Sequence, residues 1–236
     1  MSIASMHYDF KMKFNKIDSQ SNRNFLVPEI DWMLNEAAGI FVSLIAEPRK
    51  RTALGFETSE RSIEDIYSIV VSNDNLWLPV VNNVAALPAD HWYTIKARAR
   101  ATKGKCIDKI GRVFVVQHDD MTEESSLYNS SFEWREFNAH RFNGGLKFLT
   151  DGTFTINDVC VNYIRKMSYM HYAQGFGNGT YNSPLTGLPL TGSVNCELPV
   201  TTHSEVVDIA VMIASGNILS SYYQQKLAKL NFNQLT

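Results

Sequence analysis

A chain of 236 residues, 44% apolar and with a formal charge of −2, is long enough for one large domain, or one domain interrupted by another, with a real core. Its weakly acidic balance, with a pI near 6.3, excludes a general attraction to nucleic acid or anionic lipid, so any such contact needs a local patch. No apolar run approaches the roughly 18 residues of a membrane helix, and the start, MSIASMHYDFKMKF, lacks the regions of a secretion signal, so cytosolic assembly is expected.

Three cysteines, Cys106, Cys160 and Cys196, stand at long spacings with no C-x-x-C, and are expected to be reduced thiols that pack as small apolar residues. Residues 6–15 alternate, with His7, Asp9, Lys11 and Lys13 on one side and Tyr8, Phe10, Met12 and Phe14 on the other. Period two predicts a strand or an extended arm there. So aromatic an arm needs cover, either in this subunit's own sheet or by strand addition on a neighbouring molecule. Asp18, Ser19, Ser21 and Asn22 form a polar turn.

The chain is then organised around Asn24–Ile45, NFLVPEIDWMLNEAAGIFVSLI. Pro28 suits a first helical turn, Glu29 and Asp31 complement its positive end, and Ile30, Met33, Leu34, Ala37, Ala38, Phe41, Val42 and Ile45 recur at helical spacing. So wide an apolar stripe needs a partner, and residues 202–230 are the segment suited to it, which packs the two chain ends together. Residues 48–55, PRKRTALG, read as a basic solvated connection. Ser62 with Asp65 resembles a capping pair before a second, short helix.

From Leu76 to Ile156 the period changes. LWLPVV, HWYTIKARAR, CIDKIGRVFVVQH, WREFNAHRF, LKFLT and TFTI are short β-branched and aromatic runs separated by Asn, Asp, Gly and Pro, the pattern of an antiparallel sandwich or small barrel. Asp151-Gly152 predicts a hairpin turn, and residues 159–172 continue the sheet. Residues 175–192 are too rich in Gly and Pro to hold regular structure for long; such a loop is disordered alone or docked on a partner. Thr202 with Glu205 is a capping box that starts a helix, Gly216-Asn217 breaks it, and residues 218–230 resume it with Tyr222, Tyr223 and Leu227 buried. The expected fold class is α+β: a helical unit from residues 1–75 with 200–236, and an inserted antiparallel β-sandwich or small barrel over 76–199.

Chemistry is sparse. His118-Asp119-Asp120 has metal-ligand and general-base residue types in a row, but neighbours in an extended chain point to opposite faces and no second cluster completes a site. His203, near Glu205 and Asp208, is explained by capping and exposure. Arg98, Arg100, Lys103 and Lys105, with Tyr93 nearby, form a basic stretch best read as a solvated hairpin. There is no P-loop, G-x-S-x-G, H-E-x-x-H or dinucleotide fingerprint. No catalytic residue, metal site or cofactor is expected.

Three segments, DFKMKFNKIDSQSNRNFLVPEIDWMLNEA, GFETSERSIEDI and NCELPVTTHSEVVDIAV, resemble the head-to-tail connector ring proteins of crAss-like tailed bacteriophages. The resemblance implies a virion structural protein that forms a closed ring of twelve copies. It implies partners too: the portal protein above, other ring or tail proteins below, and viral double-stranded DNA passing through the lumen without sequence-specific binding. Its place would be the neck of the virion, assembled in the host cytoplasm, with no membrane contact. Phe25, Pro28, Glu29, Asp31, Trp32 and Asn35, with Thr202, His203, Glu205 and Asp208, are the positions expected to define the helical unit and contact neighbours. A carbohydrate- or receptor-binding β-sandwich built around Trp77, Trp92 or Trp134 is the alternative, and an enzyme built on His118, Asp119 and Asp120 a third reading.

Overall fold

The computed structural model describes residues 1–15, 25–46, 64–116 and 130–217, and its first element, α1 (Ile3–Asn15), is a helix where alternation predicts a strand or arm. Ile3, Met6, His7, Phe10 and Phe14 are buried, at steps of three and four that share one helical face. Tyr8 and Met12, which period two groups with Phe10 and Phe14, are exposed. The 3.6 period wins because it buries Ile3, Met6 and His7 together with Phe10 and Phe14. α2 (Val27–Ala46) buries Ile30, Met33, Leu34, Ala37, Ala38, Phe41 and Val42 along the predicted stripe. α3 (His203–Asn217) follows a 3-10 turn at Val200–Thr202 and hides Val206, Val207, Ala210, Val211 and Ala214. It packs against both α1 and α2, so the chain ends meet.

The polar turn at 18–22, the basic connection at 48–55, Ser62, His118 to Asp120 and the resumed helix at 218–230 lie outside the described residues. After Ser62 the structure describes a 3-10 turn, Tyr67–Ile69, leading into β1 (Val70–Val71).

Residues 1–68 and 167–236 form one compact unit and residues 69–166 another. The stretch 167–199, grouped by sequence with the β-rich insertion, therefore belongs with the helices. Asn35 of α2 holds its backbone from both sides, donating to the Met170 carbonyl at 2.7 Å and accepting from the Met170 amide at 3.0 Å. Within it, β9 (His171–Tyr172) pairs with β12 (Ser193–Val194), and β10 (Thr180–Asn182) with β11 (Pro189–Thr191). The Gly- and Pro-rich segment thus holds a short hairpin, closed by Ser183 N–H donating to Leu188 O at 2.8 Å.

The other unit contains β2 (Leu78–Val81), β3 (Val84–Ala86), β4 (His91–Lys103), β5 (Cys106–Val115), β6 (Glu136–Phe142), β7 (Gly145–Leu149) and β8 (Thr155–Arg165). Their order β8-β2-β3-β7-β6-β5-β4 returns to β8, so seven strands close into a barrel with β1 added at β8. The fold is mixed α+β, with a barrel and not a sandwich. Nor is it wholly antiparallel, because β5 and β6 run parallel from Arg112 opposite Glu136 to Val115 opposite Ala139. Parallel neighbours need a connection of about a dozen residues or more, and the chain between Val115 and Glu136 is long enough. Asp151-Gly152 turns the chain but makes no hairpin, since β7 and β8 pair with other strands.

In the run KARARAT, alternation sends Ala97, Ala99 and Ala101 into the barrel core with Phe137, Phe148 and Phe154, while Arg98 and Arg100 point outward. Small beside large fits so narrow a barrel. Closure also needs Gly111: a Cβ there would sit 2.4 Å from the Phe137 ring and 2.5 Å from the Arg135 carbonyl oxygen. All three cysteines are free; Cys160 is buried and Cys196 half-buried, but Cys106 is exposed, so it does not pack as expected.

Candidate interface on the helical unit

α2 begins with one half of a capping box. The Glu29 carboxylate reaches back to accept the Leu26 amide at 2.8 Å, the return half of that motif. That fixes how Phe25 enters, and its ring meets Phe10 and Phe14 edge-on, with centroids 5.8 and 5.0 Å apart. One turn on, Trp32 is 45% exposed. Phe25, Pro28, Glu29, Trp32 and Met33 form one wall of an open depression of about 530 Å³, and Asn182 and Pro184 of the β10–β11 hairpin form the other. Leu185 and Leu188, at the hairpin tip, are 64% and 65% exposed.

Asp31 points the other way and is wholly buried. Its Oδ1 lies 2.7 Å from His7 Nε2; its Oδ2 accepts from the Tyr181 hydroxyl at 2.6 Å and the Tyr172 amide at 3.0 Å. A buried carboxylate is tolerable only with such partners. Burial and the adjacent carboxylate push the Tyr181 hydroxyl well above the usual phenol range, and burial, then Asp31, raise Tyr169 to about 12. Closed to water, this group ties α1, α2, β9 and β10 together and offers no surface to a substrate.

At the start of α3, the Thr202 hydroxyl donates to Pro199 O at 2.9 Å. His203 is not exposed as expected but buried, because both ring nitrogens find partners inside, Nε2 donating to Leu198 O at 2.8 Å and Nδ1 accepting from the Met1 amine at 2.9 Å. Burial lowers its pKa, reinforced by the nearby ammonium charge. Glu205 and Asp208 are exposed. Asp208 lies 3.2 Å from Lys13, which also pairs with Asp9 at 2.9 Å.

The predicted positions therefore separate. Phe25, Pro28, Glu29 and Trp32 line one depression; Asp31, Asn35, Thr202 and His203 hold the interior; Glu205 and Asp208 line neither. Sequence reasoning missed His7, Tyr172 and Tyr181. Only a long-range contact brings them to Asp31, and no local pattern encodes it.

On the barrel unit, Trp77 lies under the Arg100 guanidinium, 4.1 Å from the ring centroid, and Trp92 stacks on Tyr93 at 5.1 Å. Trp134 is 80% exposed. Among the described residues, no three His, Cys, Asp or Glu side chains come together as metal ligands, and no helix is long and apolar enough to cross a membrane. No protein-family model matches the chain, and no curated protein matches it in sequence.

Proposed function

We propose that this chain is a virion structural protein, a ring-forming head-to-tail connector below the portal of a tailed phage that surrounds the DNA channel and joins portal to tail. The observation that carries the reading is the pairing on one unit of a depression around Phe25 and Trp32 with an exposed apolar hairpin tip at Leu185 and Leu188. A ring closes through heterologous contacts, each copy presenting two different surfaces to its neighbours. An exposed tryptophan such as Trp32 is the usual kind of anchor in such contacts, and exposed leucines at the hairpin tip add apolar area to be covered. The resemblance of both chain ends to connector rings of crAss-like phages supports it, as does a helical unit built from those ends with a barrel inserted in sequence between them. Twelve copies would match a portal's symmetry, and assembly would take place in the host cytoplasm.

Native mass spectrometry of the purified chain, alone and mixed with its phage's portal protein, tests the proposal. A closed oligomer, alone or only with the portal, is the expected result. A chain that stays monomeric in both conditions overturns it, and sugar binding at Trp134 would then be measured.

A further inference from the structure

The barrel carries a concentration of positive charge that the ring reading does not use. Lys96 and Arg98 of β4, Arg112 of β5 and Arg135, just before β6, surround a shallow depression of about 270 Å³ with Ile110 and Gly111, and no carboxylate lines it. Arg98 and Arg112 stand directly opposite each other across the antiparallel β4–β5 pair, an arrangement of like charges that destabilises a sheet. The nearby acids offset little of it. Asp74 pairs with Arg98 but is itself 67% exposed, and such surface pairs are weak. Glu136 is in register with Arg112, with no ion pair between them within 4 Å among the described residues. The site is also built. Arg135 adopts a left-handed backbone at φ 57°, uncommon for a side chain of this kind, and its carbonyl accepts the Arg112 amide at 2.8 Å. The absence of a side chain at Gly111 admits that carbonyl.

We infer that this face binds the phosphate backbone of duplex DNA without reading its sequence. The cations span three strands, about 10 Å across at the usual strand spacing, wider than a single small anion. Their charged ends are in water and not in a closed pocket, which suits a run of separate phosphates. No aromatic ring lines the depression, so there is no platform for stacking unpaired bases and the contact is to a backbone. Local charge of this kind recruits a polyanion to a chain whose net charge is negative. The inference goes beyond the ring proposal and does not depend on it, since one subunit in solution carries the whole patch.

The test is fluorescence anisotropy of the full chain with a labelled duplex of arbitrary sequence, from about 50 to 200 mM salt, where phosphate contacts dominate the salt response. Four contacts predict a log–log slope of about −3 to −4, the same for two unrelated sequences. Arg112→Gln combined with Arg135→Gly removes two charges, and glycine accepts the left-handed backbone at 135; the slope should shrink by about two, with at least about a tenfold loss of affinity at the lowest salt. Lys11→Gln with Lys166→Gln removes equal charge elsewhere and should leave both quantities unchanged, and circular dichroism should show both variants folded. No binding at the lowest salt overturns the inference, as does an equal loss in the Lys11/Lys166 variant. Binding of polyglutamate as tight as that of the duplex overturns it in favour of an acidic protein partner.

Discussion

Asp31 Oδ1 lies 2.7 Å from His7 Nε2, with the two side chains 0% and 5% exposed, so α1 is joined to α2 by a contact shut off from water. Tyr181 and the Tyr172 amide complete the carboxylate's shell. Removing one partner of a buried ionic group costs more than the pair contributes, because the others are left unsatisfied. Asp31→Ala should therefore destabilise the helical unit by about 3–5 kcal/mol, and Tyr181→Phe by about 1.5–3 kcal/mol. Urea denaturation followed by tryptophan fluorescence measures both, and an Asp31→Ala variant within 1 kcal/mol of wild type, on the scale of a single ordinary hydrogen bond, would contradict the account.

The barrel should lose stability in mild acid. His91 is held down to about 4 by burial and then by the Arg141 charge. The hydrogen bonds agree with a neutral ring. Arg141 donates to Thr94 Oγ1 at 2.9 Å, leaving the Thr94 hydroxyl to donate to His91 Nε2 at 3.0 Å. In the unfolded chain the ring takes a proton near its ordinary 6.5. Between that value and about 4 the unfolded state binds more protons, so stability falls as pH falls through this window. Denaturation midpoints at pH 7, 5.5 and 4.5 should decline in the wild type and decline less in His91→Gln; parallel declines would remove His91 as the cause.

Much of this architecture is legible because packing and local pattern agree. In α2 the apolar residues recur at helical spacing and are the ones buried; in β4 the Ala/Arg alternation sorts core from surface. α1 is not legible, because Phe10 and Phe14, four apart, satisfy a strand face and a helix face equally well, and only the burial of Ile3, Met6 and His7 decides between them. Residues 167–199 read as the end of the β-rich insertion because their attachment to the helices, through Asn35 and Asp31, is made across long sequence separations. Parallel pairing of β5 with β6 leaves no mark on either strand's composition. In the interface, Phe25 and Trp32 are visible as aromatics flanking a helix start, whereas the hairpin side of the depression lies in a segment whose sequence predicts only a loop.

Barrel closure depends on two places without side chains. A Cβ at Gly111 would meet the Arg135 carbonyl oxygen at 2.5 Å, and one at Gly145 the Ala85 carbonyl oxygen at 2.4 Å. Backbone cannot swing aside as a flexible side chain can, so either strand pair must part. Gly111→Ala and Gly145→Ala should each cost about 1–3 kcal/mol, the usual penalty of overpacking, while Gly104→Ala, with open space around it but φ at +57°, should cost about 1 kcal/mol from backbone strain alone. Thermal melts of the three variants rank these effects, and a Gly111→Ala melt matching that of Gly104→Ala would show that the strands separate freely.

Ring assembly should depend on the depression and the hairpin tip and not on surface apolarity in general. Trp32 and Leu188 are already substantially in water, so Trp32→Ser and Leu188→Asp should each leave subunit stability within about 0.5 kcal/mol, as for most surface substitutions. If the hairpin tip of one copy seats in the depression of the next, every contact in the ring is the same contact, and weakening it weakens all of them together. Loss of an aromatic hot spot such as Trp32 removes about 2 kcal/mol or more from each contact, about thirtyfold in each association constant, and Leu188→Asp puts an unpaired charge into the same contact. Native mass spectra of the two variants should therefore shift from the ring to the monomer with the fold intact. Ile107→Asp, at a barrel position 72% exposed, should keep the ring. Dissociation by Ile107→Asp alone would move the contact from the helical unit to the barrel.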